Sequence, residues 1–173
     1  MIYFAQPTFG GPIRIGCSEN VAFRANQLGS WIVGGVEIVA TMEGGFFREC
    51  VLHQVFGPIL IEKDWFRSCR VMWQYMFDVL DGRGDDWLPR LDEHPRASDE
   101  AVVAQFGSFE SAAAALGYSS AVNVRQAARS SSSHSYSLSA RMWFHSALVS
   151  DRLPPYLAKL HHGGAEIGKV KAA

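Results

Sequence analysis

Tyr3, Arg14, Arg24 and Glu49 supply a phenol, two guanidinium groups and a carboxylate, and each stands close to apolar residues in its own strand or helix. In "PIRIGCSENVAFRANQL", residues 12–28, Ile13, Ile15 and Cys17 alternate with Arg14 and Gly16, the period of a half-buried strand. Ser18 or Asn20 can cap the helix that follows, whose apolar stripe is Val21, Ala25 and Leu28. Arg24 falls on the edge of that stripe, three residues after Val21 and four before Leu28. Glu49 shares a helix face with Phe46, Leu52, His53 and Phe56. A buried charge without a partner costs on the order of several kcal/mol, so each of these groups needs a reason. One reason is that Arg24 and Glu49 pair with each other or reach to solvent. The other is chemistry on a phosphodiester. A guanidinium matches two phosphate oxygens, a carboxylate can hold one Mg²⁺, and a phenol can position or deprotonate the attacking water.

The order of these residues is more informative than any one of them. Tyr3, "RIG" (14–16), Arg24, Glu49 opening "ExxLHxxF", and "DWF" (64–66) run in sequence, with Arg14 11 residues after Tyr3 and Arg24 10 after Arg14. Over roughly residues 1–70 this pattern resembles the GIY-YIG nuclease superfamily, in particular its compact phage and bacterial branch with a K-I-G-like second motif. The resemblance implies a small α+β domain, a three-stranded antiparallel sheet with flanking helices. It implies Tyr3 as a candidate general base, Arg24 as the catalytic arginine and Glu49 as the ligand of Mg²⁺ or Mn²⁺. Gly16 matches the last glycine of the second motif, and His53, Phe56 and the Trp65–Phe66 pair match packing positions. Arg14 stands where the second motif has tyrosine or lysine. Arginine cannot give up its proton, so there it can orient a phosphate but cannot act as a base. Met1 precedes "IYF" where the first motif has glycine, and the late asparagine of classical members has no match.

Other readings of these residues are plainer. His53 lies one helical turn after Glu49, so both could ligate a metal, but without a third ligand a packed, hydrogen-bonded histidine is the simpler account. Cys50 has no matching His and Asp and reads as core. Phe46, Phe47 and the Trp73–Tyr75–Met76–Phe77 cluster read as core as well.

The elements that must hold these groups follow from local pattern. "MIYFAQ", "IRIGC" and "VEIVATM" (36–42) read as strands, the first two joined by the turn chemistry of "PTFGGP". Residues 19–29, 45–56 and 67–80 read as helices, with a short extended piece ending in "DWF" between the last two. Residues 81–97 hold five acidic residues with glycines and prolines, the composition of a linker. The expected organisation is a nuclease-like domain at 1–80, a linker at 81–97, an all-α domain at 98–162 and a flexible tail at 163–173. Within the last domain, "SSSSHSYS" (130–137) reads as a mobile loop, with helical pieces at 138–149 and 156–162 around Pro154–Pro155.

"QFGSFESAAAALGYSSAVNVRQAARS" resembles the helix-turn-helix of small Cro-like repressors over roughly residues 99–130. Small alanines allow close helix crossing, Gly117 can take a positive φ after a helix, and Ser119 or Ser120 can cap the next one. The likeness implies Asn123 and Gln126 near base edges and Arg125 and Arg129 on phosphates. The plainer alternative is an ordinary helical hairpin.

The 173 residues are 48% hydrophobic and 19% charged, a globular balance, and the net charge of −1 confines any nucleic-acid contact to local patches. Residues 98–173 carry seven basic and five acidic residues, the most basic stretch. Three cysteines without close pairing speak against a disulfide framework, and no leader-like or membrane-spanning run is present, so a cytoplasmic protein is expected. The function expected is a metal-dependent DNA endonuclease aimed by a helix-turn-helix, of phage or mobile-element type, working on DNA alone or as a homodimer. The alternative is a DNA-binding regulator whose nuclease-like fold does not cut. A third possibility is a protein-interaction module.

Overall fold

The computed structural model describes residues 1–88, 96–131 and 133–162. The expected tail at 163–173 and residues 89–95 of the expected linker lie outside the described residues. The chain runs β1 (Ile2–Pro7), β2 (Ile13–Cys17), α1 (Val21–Gly29), β3 (Val36–Met42), α2 (Phe46–Val55), a 3₁₀ turn (Gly57–Ile59), β4 (Leu60–Glu62), β5 (Trp65–Phe66) and α3 (Arg70–Leu80). Then follow α4 (Asp99–Phe106), α5 (Phe109–Leu116), α6 (Ala121–Arg129), α7 (Ser133–Val149) and α8 (Pro155–His162). This is a mixed α+β fold.

The sheet has five antiparallel strands in the order β3-β1-β2-β5-β4, not the three expected. The two extra strands come from the extended piece that ends in "DWF". Lys63, at φ 52°, turns the chain so that Trp65–Phe66 pairs back on Leu60–Glu62 and also on Ile13–Arg14. Strands this short carry little pattern of their own; neighbours in the sheet define them.

β1 is buried along its whole length because the sheet is covered on both faces. Ile2 and Phe4, with Ile13 and Ile15 of β2, point into the main core against Val51, Leu52, Val55 of α2 and Met72, Tyr75 of α3. Tyr3 and Ala5 point the other way, under Leu28 of α1. Asn20 caps α1 by accepting from the Phe23 amide at 2.9 Å.

The second core joins α4, α5 and α6 through Val102, Ala112, Leu116 and Val124. Gly117 sits at φ 70° after α5, and Ser120 caps α6 through the Asn123 amide. Residues 130–137, expected as a loop, instead lead into the 17-residue α7, which starts at Ser133. Serine is a poor helix former, but burial decides here. Ser135, Leu138 and Ala140 are fully buried, and the Tyr136 ring meets Phe46 of α2 edge-on at 6.4 Å. α7 thereby packs on α2 with one side and completes the α4–α6 core with Leu138 and Met142. Leu157 and Leu160 of α8 belong to the main core.

One close approach fixes the site strands. Tyr3 stands opposite Gly16, and a Cβ on residue 16 would fall 2.4 Å from the Tyr3 hydroxyl and 2.6 Å from Cζ. The ring is 1% exposed and has nowhere to go. Gly16→Ala is therefore expected to cost roughly 1–3 kcal/mol in urea unfolding. Tyr3→Phe, which removes the nearest atom, should recover part of that loss in the double variant, and wild-type stability for Gly16→Ala would show that the ring does not lie there.

Candidate active site

The strand register puts Tyr3, Gly16, Arg14 and Trp65 on one face of the sheet, since cross-strand partners share a face: Tyr3 with Gly16, Ala5 with Arg14, and Arg14 with Trp65. α1 lies over this face and brings Arg24 to it. The Tyr3 phenol is sealed under Leu28 and Val21 of α1 beside Val36 and Ile38 of β3. Arg14 and Arg24 reach past it into an open cavity of about 660 Å³, whose walls include Gln27, Trp31 and Trp65. Arg24 does not press into the core. Its Nη1 donates to Gln27 Oε1 at 2.8 Å, one helical turn on, and it has no carboxylate partner among the described residues.

Arg14 donates from Nη2 to Asp64 Oδ2 at 2.6 Å, and its guanidinium lies 5.8 Å from the Trp65 ring centroid. Its Nε is buried and has no hydrogen-bond partner. Asp64 occupies the turn between β4 and β5. It also lines a second cavity, about 330 Å³, with Glu49, His53, His134 and Ser137. The Arg14–Asp64 pair thus stands between the guanidinium cavity and the Glu49 cavity.

Glu49 lies in the first turn of α2, and the Cys17 thiol of β2 hydrogen-bonds its carboxylate. Burial raises its pKa. The Cys17 hydrogen bond and the charges of His53 and Arg14 pull it back, while Asp64 pushes it up. Burial, then the hydrogen bond and charge of Glu49, pushes the Cys17 thiol up to about 12. Cys50 is likewise pushed up to about 12, by burial first and then by Glu49. Both thiols are held neutral, which agrees with a core role for Cys50. The His53 Nε2 meets the Ile15 carbonyl at 3.1 Å and its ring packs edge-on against Phe66 at 5.2 Å. A nitrogen facing a carbonyl oxygen carries a proton, so this one has no lone pair for a metal. Its distance to Glu49 Oε1 is 4.0 Å.

The expected residues are therefore brought together in part. Arg14 and Arg24 share one cavity, Glu49 lines another, and Tyr3 lines neither of these two. Among the described residues no ion pair joins Arg24 to Glu49; Arg24 instead reaches towards solvent, the other half of the plainer account, while Glu49 stays largely buried. Among the described residues no three His, Cys, Asp or Glu side chains converge as a metal group.

On the helical side, Asn123 and Gln126 of α6 line a cavity of about 420 Å³ together with Tyr118, Ser130, His134 and Ser137. His134 and Ser137 also line the Glu49 cavity, so the two adjoin across the first turns of α7. Asn123 donates to Ser119 Oγ at 2.7 Å. Arg125 lies 4.6 Å from the Phe109 ring centroid, and Arg129 donates twice to Asp99 Oδ2, at 2.8 and 2.6 Å.

Local pattern does not mark Trp31 or His134, and it marks Asp64 only as the first residue of "DWF". All three sit on turns or at a helix start, where periodicity is silent. No helix among the described residues is long and apolar enough to cross a membrane. No family model, curated protein or solved structure matches the chain.

The raised Glu49 pKa has a measurable consequence. As pH rises past the ordinary glutamate value, the unfolded chain gives up this proton first, so stability falls until the folded-state value is passed and the full cost of the buried carboxylate remains. Glu49→Gln removes that titration. Its Tm should exceed wild type by a few degrees at about pH 8, and the difference should close below about pH 4, where both states hold the proton. Equal Tm values at both pH values would show that Glu49 is not desolvated.

Proposed function

We propose that this chain is a metal-dependent DNA endonuclease of GIY-YIG type, with α4–α6 acting as a helix-turn-helix that holds the DNA. The observation that carries the reading is the Arg14–Asp64 pair, which joins a cavity holding two guanidinium groups to one holding a half-buried carboxylate. A phosphodiester lying across that pair has Arg24 and Arg14 on its non-bridging oxygens and Glu49 on its far side. Arg24 uses one N–H on Gln27 and keeps the rest of its fork for phosphate. As negative charge builds on the phosphoryl oxygens during in-line attack by water, these guanidinium groups stabilise it.

Glu49 suits Mg²⁺ or Mn²⁺ as a hard oxygen donor facing a cavity, with Asp64 beside it, the remaining positions falling to water and substrate oxygens. When bound, such an ion lowers the pKa of the attacking water and neutralises phosphate charge. That same positive charge favours the ionised form of Glu49 against the burial that raises its pKa. Tyr3 holds β2, and hence Arg14, in place; for its hydroxyl to reach water, Leu28 of α1 must withdraw. The cavity of Asn123 and Gln126 adjoins that of Glu49, so DNA held on α6 passes close to the carboxylate. Arg129 is engaged by Asp99 and would have to exchange that carboxylate for a phosphate.

A second reading, a DNA-binding regulator that does not cut, is favoured by the burial of Tyr3 and by arginine at position 14. Plasmid incubated with purified protein and Mg²⁺ or Mn²⁺ separates the two. The nuclease reading expects metal-dependent nicking, lost in Glu49→Ala and reduced about a hundredfold or more in Arg24→Ala. A salt-sensitive gel shift with no nicking supports the regulator, and no DNA retention even at low salt refutes both.

A further inference from the structure

We infer that the cleft between α1 and β5 takes a nucleotide whose base is unpaired, so that the DNA strand is single-stranded where it meets Arg14 and Arg24. This names the substrate form for the site proposed above and rests on that reading only for the choice of DNA. The cleft has cations and aromatic rings on its walls and no carboxylate. Among the described residues the Arg24 side chain hydrogen-bonds only Gln27, so its charge is available to a phosphate.

The indoles supply the other half of a nucleotide site. Trp65 is held in β5, and the Arg14 guanidinium fixes one side of its ring. Trp31 is 87% exposed and adds nothing to the core. Yet it is not on a loose segment. Its amide donates to Leu28 O at 3.1 Å, Ile32 to Gly29 O at 3.4 Å, and Gly35 to Ile32 O at 2.9 Å, so successive turns present the ring at the cleft. A large apolar side chain displayed in this way marks a contact surface. Two indoles and two guanidinium groups around about 660 Å³ suit one phosphate with one flat heterocycle. In a duplex both faces of each base are covered by its neighbours, and only an unstacked base can lie on an indole.

The test uses the full chain in EDTA, so that cutting plays no part, with fluorescein-labelled oligothymidylate and a fully paired, blunt DNA duplex with G·C ends as probes read by anisotropy. Trp31→Ala is expected to weaken oligothymidylate binding about tenfold and to leave duplex binding unchanged. Trp31→Phe should retain most of the affinity, and Val33→Ala, an exposed change on the same turn, should be silent. Unchanged oligothymidylate affinity in Trp31→Ala, equal losses for both probes, or no oligothymidylate binding at low salt would each overturn the inference. Selective loss in Trp31→Ala without metal-dependent nicking of plasmid would uphold it while the nuclease reading fails; nicking with no effect of Trp31→Ala does the reverse.

Discussion

The ion pair between Arg14 and Asp64 ties the sheet edge to the space on either side of it. Its worth as a stabiliser is small: both side chains are partly open to water, and pairs of that kind contribute about 0–1 kcal/mol. The buried, unpartnered Nε of Arg14 subtracts from that. Its importance is positional. The β2–β5 ladder and the Ile15 amide, which donates to the Asp64 carbonyl at 3.1 Å, hold the β4–β5 turn against β2. The ion pair then turns the two side chains to each other, with the Trp65 ring beside the guanidinium and Asp64 on the wall of the Glu49 cavity.

A second constraint works at longer range. α7 packs on α2, which carries Glu49, and on the α4–α6 core, which carries Asn123 and Gln126. The serines at its start are small enough to let the helix approach closely, and Tyr136 docks on Phe46. Two faces built from distant parts of the chain are thereby set next to each other across His134 and Ser137. The separation of α6 from Glu49 is fixed by the body of a helix and not by the reach of a linker.

Much of this was legible from local pattern and some of it was not. The alternation in "IRIGC" and the β-branched bias of "VEIVATM" marked strands, and Gly117 and Ser120 marked a helix end and start through backbone geometry alone. The β4–β5 hairpin was hidden because strands of two and three residues have no periodicity to read. α7 was hidden because serine composition speaks for a loop, while the burial of Ser135 and Leu138, which decides the matter, depends on chain far away in sequence. Helical spacing put Arg24 at the edge of an apolar stripe and Glu49 on a mostly apolar face. It could not say that Arg24 would turn outward to Gln27, or that Asp64 would stand between Arg14 and Glu49.

That last distinction bears on function. Arg24 is at little cost to the fold, being half-open to water and satisfied by Gln27. Glu49 is different. Its carboxylate is desolvated, faces a like charge on Asp64, and is stabilised chiefly by a thiol, a weak donor. A glutamine of the same shape would keep the packing of α2 on β2 and shed the charge. Fold stability therefore gives no reason for an acid at this position, and a protein's departures from local consistency concentrate where something other than stability is at stake. Under the nuclease reading proposed above the acid has a reason: Glu49 and Asp64, which repel each other, would both be drawn to a cation held in the cavity they line.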